Sequence, residues 1–278
     1  MTNAAKKSQH LEILLSTIQQ NSLSFLSEMF PYNKISDINI VVINQTEKAN
    51  LLVSDYNHVK VFNSFEKGLS NSRNLAIEKA SGEICLLADD DVVYAEGFED
   101  IILSAFQKNK DADIITFQMM DDEGHLFRDY QNITKHNETT VYTVNSVVIA
   151  FKLKSVKDKV NFNTNFGLGA QFEVADEYVF LRDALKAGLT IYFEPQVILK
   201  HSKFSSGQDV ASDRLIYGRS ALYYKYYGLR AYFRIAKHIY LTFKEGKLRF
   251  SEIIPKFGVA FKGIKDYKKL VREGFEIR

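Results

Sequence analysis

Residues 67–91, KGLSNSRNLAIEKASGEICLLADDD, decide the fold of this chain. Residues 70–80 have apolar side chains near helical spacing and predict a helix, which Gly82 helps to end. Residues 84–88 are a short apolar run of the kind that forms a buried strand. Three adjacent aspartates, residues 89–91, follow directly. A helix followed by a buried strand is the repeating unit of an α/β sheet.

The three aspartates at the end of this strand suggest a ligand site. Adjacent carboxylates repel one another, and hard divalent ions such as Mg²⁺ or Mn²⁺ take oxygen ligands. In α/β sheets, ligands bind beyond the carboxyl ends of strands. Asp89, Asp90 and Asp91 therefore indicate a metal that neutralises a diphosphate. An acidic triplet by itself is more often a solvated loop or a helix cap, so the flanking sequence decides.

Strand-like and helix-like segments alternate through the first two-thirds of the chain. The predicted strands are residues 11–15, 38–43, 59–62, 84–88, 114–119, 141–151 and 191–199, and the predicted helices are residues 22–29, 70–80, 98–107 and 178–187. Residues 121–124 predict a turn. This alternation implies parallel pairing in a doubly wound sheet.

Composition places the chain among ordinary globular proteins. It has 278 residues, a net charge of +2 and a single cysteine, Cys85, within an apolar run. No disulfide framework is possible, and we expect a buried Cys85 and a reducing, cytoplasmic location. We see no secretory leader, and no stretch approaches the ~18 apolar residues of a membrane span.

The C-terminal part of the chain is basic and rich in tyrosine. We expect helices there, separated at Gly228, Gly246, Pro255 and Gly263. Two interpretations stay open: packing helices with solvated lysines, or a peripheral contact with the inner face of the cell membrane. No nucleic-acid-binding motif accompanies the basic residues, so we do not expect a nucleic-acid partner.

In combination, these motifs resemble those of family 2 glycosyltransferases with the GT-A fold. Residues 67–91 match a Gly-Leu-Ser-x-x-Arg-Asn helix start, a small-residue–Gly turn, an apolar strand and an Asp-x-Asp (DXD) motif. Residues 166–188 look like the acceptor-side acidic motif and its following helix. Residues 195–201 resemble the Pro-to-His segment that often ends the catalytic core. The resemblance covers residues 10–205.

The resemblance implies an α/β fold of the GT-A type, Rossmann-like, with a mostly parallel central sheet flanked by helices. Residues 1–205 should form the catalytic domain, with a nucleotide-binding half over residues 10–120 and an acceptor-side half over residues 120–205. Residues 206–278 should form a helical, basic, Tyr-rich C-terminal extension.

The resemblance also assigns the metal site. It implies that Asp91 coordinates Mn²⁺ or Mg²⁺, and that Asp89 faces the ribose or assists the metal. Asp90 takes the variable middle position beside the nucleotide. His201 is implied as a third metal ligand or a phosphate contact, although an isolated histidine is more often structural or merely exposed. Such a metal stabilises the diphosphate leaving group as a Lewis acid.

Four further residues should cradle the nucleotide. Arg73 matches the family arginine near the nucleotide, although alone it is also typical of a surface salt bridge. Thr17 follows the first strand, where Ser16 replaces the family's proline. Asn44 and Gln45 stand where the family has an acidic pair that reads the base, and amides can also hydrogen-bond a uracil edge.

A carboxylate pair is implied as the source of the general base. Asp176-Glu177 occupies the place of the family's Glu-Asp pair with the two types exchanged. Glu177 matches the usual base position and Asp176 is the alternative, although acids are also common in the first turn of any helix. Gly167 and Gly169 either let the backbone approach a sugar or supply positive φ.

The sequence therefore predicts a metal-dependent, inverting hexosyl- or N-acetylhexosaminyl-transferase. The expected donor is a nucleotide-diphosphate sugar, with a UDP-sugar favoured, and the acceptor is a glycan or lipid-linked glycan in surface polysaccharide synthesis. A nucleotidyltransferase is one alternative, but residues 16–21 lack the Gly-rich basic loop of that class. A catalytically degenerate sugar-nucleotide-binding or scaffold protein is the other.

Overall fold

The computed structural model describes residues 10–202 and 209–276. The strands are β1 (Leu11–Ile18), β2 (Asn39–Gln45), β3 (Val59–Ser64), β4 (Ile84–Asp89), β5 (Val92–Tyr94), β6 (Ile114–Met120), β7 (Ile149–Lys152) and β8 (Ile191–His201). The helices are α1 (Phe25–Met29), α2 (Leu69–Lys79), α3 (Phe98–Lys108), α4 (Leu153–Val156), α5 (Asp176–Lys186), α6 (Asp213–Tyr227), α7 (Ala231–Lys244) and α8 (Ile253–Arg272).

These strands form one sheet in the order β3-β2-β1-β4-β7-β6-β8-β5. The strands β3, β2, β1 and β4 run parallel, as do β6 and β8, whereas β7 and β5 pair antiparallel with their neighbours. The predicted α/β architecture with a mostly parallel central sheet is confirmed.

The apolar runs of β1, β2 and β4 are buried along their length, as expected of parallel strands covered on both faces. Cys85 lies in β4 and is buried, as predicted. The register pairs Ser16 with Asp89 and Thr17 with Asn44. The carboxyl ends of these strands, and the polar residues on them, therefore meet at one edge of the sheet.

The prediction of one strand over residues 141–151 is wrong. Short 3₁₀ turns at Thr140–Thr143 and Ser146–Val148 precede β7, which begins at Ile149. The interruption has a physical reason, because the polar side chains of Asn145 and Ser146 accept hydrogen bonds from arginines instead of continuing a strand. The prediction of a turn after β6 is confirmed.

The predicted helical C-terminal part is also confirmed, with two corrections. Gly228 and Gly246 lie at helix ends with positive φ, as expected. Pro255 and Gly263 do not separate helices and lie within α8. Pro255 is in the first turn, where its missing N–H is not needed. Gly263 lets two helices approach, because a Cβ there would be 2.3 Å from the carbonyl oxygen of Tyr217.

The chain divides into two compact units. The first runs to Phe162 and resumes at Glu177, and the second combines Asn163–Asp176 with the C-terminal helices. The second unit has its own apolar core of Ile216, Ala231, Ile235, Ile239, Leu248, Ala260 and Ile264. The boundary that we predicted at residues 205 and 206 lies outside the described residues. None of the helices in the described ranges combines the length and hydropathy needed to cross a bilayer.

A partly buried histidine makes the stability of the first unit depend on pH. The ring nitrogens Nε2 and Nδ1 of His136 lie 2.8 and 3.1 Å from the hydroxyls of Thr116 and Thr140. Burial lowers the pKa of His136 from 6.5 to about 4. Between these values the unfolded chain binds a proton that the folded chain excludes, so stability is lost as the pH falls from 6.5 towards 4.

The variant His136→Gln should lose less stability on acidification than the wild type. The shift in the pKa of His136 corresponds to about 3 kcal/mol of unfolding free energy across this window. Urea unfolding at neutral pH and near pH 4 measures the difference. His125→Gln is the matched control, because the His125 side chain is 72% exposed. Equal losses in wild type and His136→Gln would contradict the assignment.

Candidate functional site

The acidic motif meets the end of β1 at the edge of the sheet. The hydroxyl of Thr17 donates to the carboxylate of Asp90, and Gln20 Nε2 donates to Asp90 Oδ2 over 3.0 Å. These two donors fix the orientation of the middle aspartate. Sequence reasoning missed Gln20, although it follows β1 closely and is a polar residue at the edge where ligands bind.

Asn44 and Gln45 hold the loops of this edge. Asn44 is fully buried, and its Nδ2 donates to the carbonyl of Gln20 and to Asn63 Oδ1 at 3.0 and 3.1 Å. Its Oδ1 accepts from the backbone N–H of Gln20. Gln45 Oε1 accepts from the N–H of Gly68, at the start of α2, over 2.8 Å. Both amides thus support the surrounding loops, and a direct contact of either with a base stays a prediction.

Arg73 lies beneath the acidic motif. Its side chain is only 2% exposed, so the surface-salt-bridge interpretation is wrong. Arg73 Nη2 lies 3.1 Å from Asp89 Oδ1 and donates to Ser146 Oγ over 2.8 Å. The guanidinium carbon is 5.4 Å from the ring centroid of Phe162. A buried cation thus holds the first aspartate of the motif in place.

The third aspartate faces the predicted histidine ligand. The strands β5 and β8 pair antiparallel with Val92 opposite His201, which places His201 Nε2 3.5 Å from Asp91 Oδ1. His201 Nδ1 is 2.7 Å from the carbonyl of Ser202 and must donate to it, since a carbonyl only accepts. With Nδ1 occupied by this hydrogen bond, Nε2 is the ring nitrogen left for a metal ion, and it faces the carboxylate of Asp91. Within the described residues, Asp89 does not join this pair in a three-ligand group.

A nitrogen and a carboxylate oxygen that face each other at this distance can both bind one metal ion. Two ligands at about 2.1 Å from an ion and at right angles lie about 3 Å apart, close to the observed separation. The oxygen and nitrogen donors, and the backbone carbonyl that orients the imidazole, are those expected around a divalent metal.

A second acidic cluster follows β6. Possible ligand atoms of Asp121, Glu123 and His125 lie within 4.8 Å of one another. However, Asp121 Oδ1 already accepts the N–H groups of Glu123 and His125 at 3.0 and 2.9 Å. This carboxylate closes the turn that the sequence predicts, and we assign the cluster no further role.

The predicted base lies at the start of α5, where the chain turns sharply at Ala175, which has a φ of 55°. Asp176 is buried, whereas Glu177 is half-buried. Gly167 has a φ of 100°, and a Cβ there would lie 2.9 Å from the Cβ of Asp176. The close approach that Gly167 permits in this structure is therefore to Asp176, and an approach to a sugar stays a prediction.

Arg128 is a charged residue of this region that the sequence did not reveal. Its guanidinium donates to the carbonyl of Thr143 and to the side chain of Asn145. Burial lowers the pKa of Arg128, while Tyr130 and the carboxylate of Glu177 act to raise it. Glu177 thus lies within electrostatic reach of a half-buried cation. Arg128 belongs to a segment without periodicity, so no sequence signal marks it.

Comparisons with solved structures confirm the GT-A fold. Staphylococcus aureus TarS residues 1–349 share 12% identity with this chain at a TM-score of 0.51, covering 97% of this chain and 93% of that one. A longer TarS structure shares 17% identity at a TM-score of 0.54, covering 96% of this chain and 50% of that one. TarS 1–349 in complex with UDP-GlcNAc shares 13% identity with this chain at a TM-score of 0.54, covering 97% of this chain and 93% of that one.

Identities this low show the shared fold alone. A search among curated proteins finds no match. The decisive comparison is with a family model described as Glycosyl transferase family 2, which matches residues 12–179, from β1 into α5. This match spans more than half of the sequence, and the chain therefore belongs to glycosyl transferase family 2.

Proposed function

We propose that this glycosyltransferase uses Mn²⁺ or Mg²⁺ to transfer a hexosyl or N-acetylhexosaminyl group, with inversion, from a nucleotide-diphosphate sugar. A UDP-sugar is the favoured donor, and the acceptor is a glycan or lipid-linked glycan of surface polysaccharide synthesis. The observation that carries the proposal is the placement of Asp91 against His201 at the edge that also holds Asp89 and Arg73.

The metal, when bound, would neutralise charge on the diphosphate leaving group. Asp91 and His201 are the residues that would hold it, because their facing acceptor atoms already suit a cation. Arg73 fixes Asp89, and Thr17 and Gln20 fix Asp90. The carboxylates are thus oriented before a ligand arrives, which limits the reorganisation that binding requires.

On the acceptor side, we assign the general base to Glu177. It is half-buried, whereas Asp176 is buried beside Gly167. Arg128 lies within electrostatic reach of Glu177 and favours its charged form, which is the form that accepts a proton. The deprotonated hydroxyl attacks the anomeric carbon opposite the leaving diphosphate, and the configuration inverts.

The preference for uridine has support from the structural neighbours, since TarS 1–349 was crystallised with UDP-GlcNAc and with UDP. A lipid-linked acceptor would place the enzyme at the cytoplasmic side of the cell membrane.

Calorimetric titration of UDP, GDP and CDP, each with and without Mn²⁺, tests this proposal. We expect UDP to bind selectively and only with the metal, because the diphosphate needs the cation between it and the aspartates. Selective binding of GDP or CDP would overturn the assignment of a uridine donor but would remain consistent with a glycosyltransferase. Failure of all three to bind would favour the catalytically degenerate alternative.

A further inference from the structure

The helix α7 carries a second apolar stripe opposite its buried one. Its buried face consists of Ala231, Ile235, Ile239 and Thr242. On the other side, Leu229, Phe233 and Tyr240 are 73%, 79% and 61% exposed. Their spacing of four and seven residues places them along one face of the helix and the turn before it. Large apolar side chains grouped in this way on a surface mark an interaction site.

Basic residues flank this stripe. Arg230, Lys237 and Lys244 follow the helical spacing beside Phe233 and Tyr240. Exposed aromatic and aliphatic side chains edged by Lys and Arg are the pattern of helices that lie in the interface of an anionic bilayer.

A groove in the same unit adds further positive charge. It is an open groove with a volume of about 520 Å³, and it is lined by side chains of α6, α7 and α8, namely Tyr224, Tyr232, Phe261, Ile264, Lys265, Lys268, Val271 and Arg272. Tyr232 and Phe261 pack together with ring centroids 5.8 Å apart. In the described parts of the chain, no carboxylate lies within 4 Å of the charged groups of Lys265, Lys268 or Arg272. The groove thus pairs an aromatic wall with cations that lack an anion.

We propose that the second unit binds the surface of an anionic phospholipid bilayer. In this arrangement the stripe of Leu229, Phe233 and Tyr240 enters the interface, and the groove takes a lipid phosphate. The proposal concerns binding alone. It is tested without donor or metal, so its failure would leave the proposed transfer reaction untouched.

Charge favours a bilayer over two other occupants. A second copy of the chain, related by a two-fold axis, would place Arg230, Lys237 and Lys244 against the same cations of its partner. A soluble phosphate would suit the groove, but it would leave Phe233 and Tyr240 exposed. An anionic bilayer satisfies both the charges and the apolar stripe.

Co-sedimentation of the full chain with vesicles tests the proposal. We expect binding to phosphatidylcholine vesicles that contain about 30% phosphatidylglycerol, weakening with salt, and little binding to phosphatidylcholine alone. Phe233→Ser should weaken binding about tenfold. Lys237→Gln combined with Lys244→Gln should weaken it about 25-fold. The control Val53→Ser removes a 74% exposed side chain from the first unit and should change nothing.

Variants of the groove, and competition by inorganic phosphate, distinguish a bilayer from a soluble anion or a second copy of the chain. Lys265→Gln combined with Arg272→Gln should also weaken vesicle binding, and millimolar inorganic phosphate should not displace the vesicles. Displacement by inorganic phosphate would assign the groove to a soluble anion and overturn the proposal. A dimer in light scattering that Phe233→Ser dissociates, without vesicle binding, would assign the stripe to a second copy. All substituted side chains are at the surface, so circular dichroism should show unchanged folding.

Discussion

Glu177→Gln is expected to lower kcat about 10³-fold and to leave the Kd of the nucleotide donor unchanged. The amide keeps the size of the side chain but cannot take the proton of the acceptor hydroxyl. In our proposal, donor binding depends on Asp91, His201 and Arg73, and the contacts of these residues remain. Steady-state transfer with a UDP-sugar and calorimetry with UDP measure the two quantities separately.

The matched control is Glu78→Gln, the same chemical change on a side chain that is 64% exposed and paired with Lys79. It should leave kcat and Kd unaltered. Asp176→Asn distinguishes the two candidate bases. Because Asp176 is buried, its replacement should lower the Tm, while kcat should fall much less than in Glu177→Gln. Transfer at the wild-type rate by Glu177→Gln, with loss in a folded Asp176→Asn, would reverse the assignment.

The sequence predicts the strands that form the carboxyl edge of the sheet well, because local pattern and motif agree there. The apolar runs of β1, β2 and β4 are long, and their parallel register brings Thr17, Asn44 and Asp89 to one edge without further information. Burial of Arg73 was the uncertain point, since the same residue on a free helix would face water. The packing of α2 against the strands decides it, and packing is not visible in a helix of mixed polarity.

The segment of residues 140–148 was harder to predict because it forms turns instead of a regular strand. Arg73 donates a hydrogen bond to Ser146, and Arg128 donates one to Asn145. These two hydrogen bonds hold the segment in turns, where its apolar character suggests a strand. Such hydrogen bonds join residues that are far apart in the chain, so the local periodicity of the sequence cannot predict them. Gln20 was missed for a similar reason, since its partner Asp90 lies on another strand end.

The same distinction applies to the proposed metal site. A motif predicts which residues belong to it, but the pairing of β5 with β8 decides which of them meet. The three-residue strand β5 is too short to be recognised from its sequence, yet it brings His201 to Asp91. Asp89 is held by Arg73, and its predicted part in facing the ribose or assisting the metal stays a prediction. Asp91 is therefore the residue on which metal binding should depend most.

Asp91→Ala is expected to weaken Mn²⁺-dependent binding of UDP by at least about 100-fold. Loss of a residue that merely orients a ligand typically weakens metal affinity about 10- to 100-fold, so loss of a ligand itself should be at least as severe. The side chain of Asp91 is 62% exposed, so the variant should fold normally. Calorimetry with UDP at fixed Mn²⁺ gives the affinity, and titration without the metal gives the residual binding.

The cluster that follows β6 supplies the matched control. Glu123→Ala removes an exposed carboxylate of equal charge from the other possible metal site, Asp121–Glu123–His125, and should leave UDP affinity unchanged. The opposite result, loss in Glu123→Ala and retention in Asp91→Ala, would place the ion beside β6.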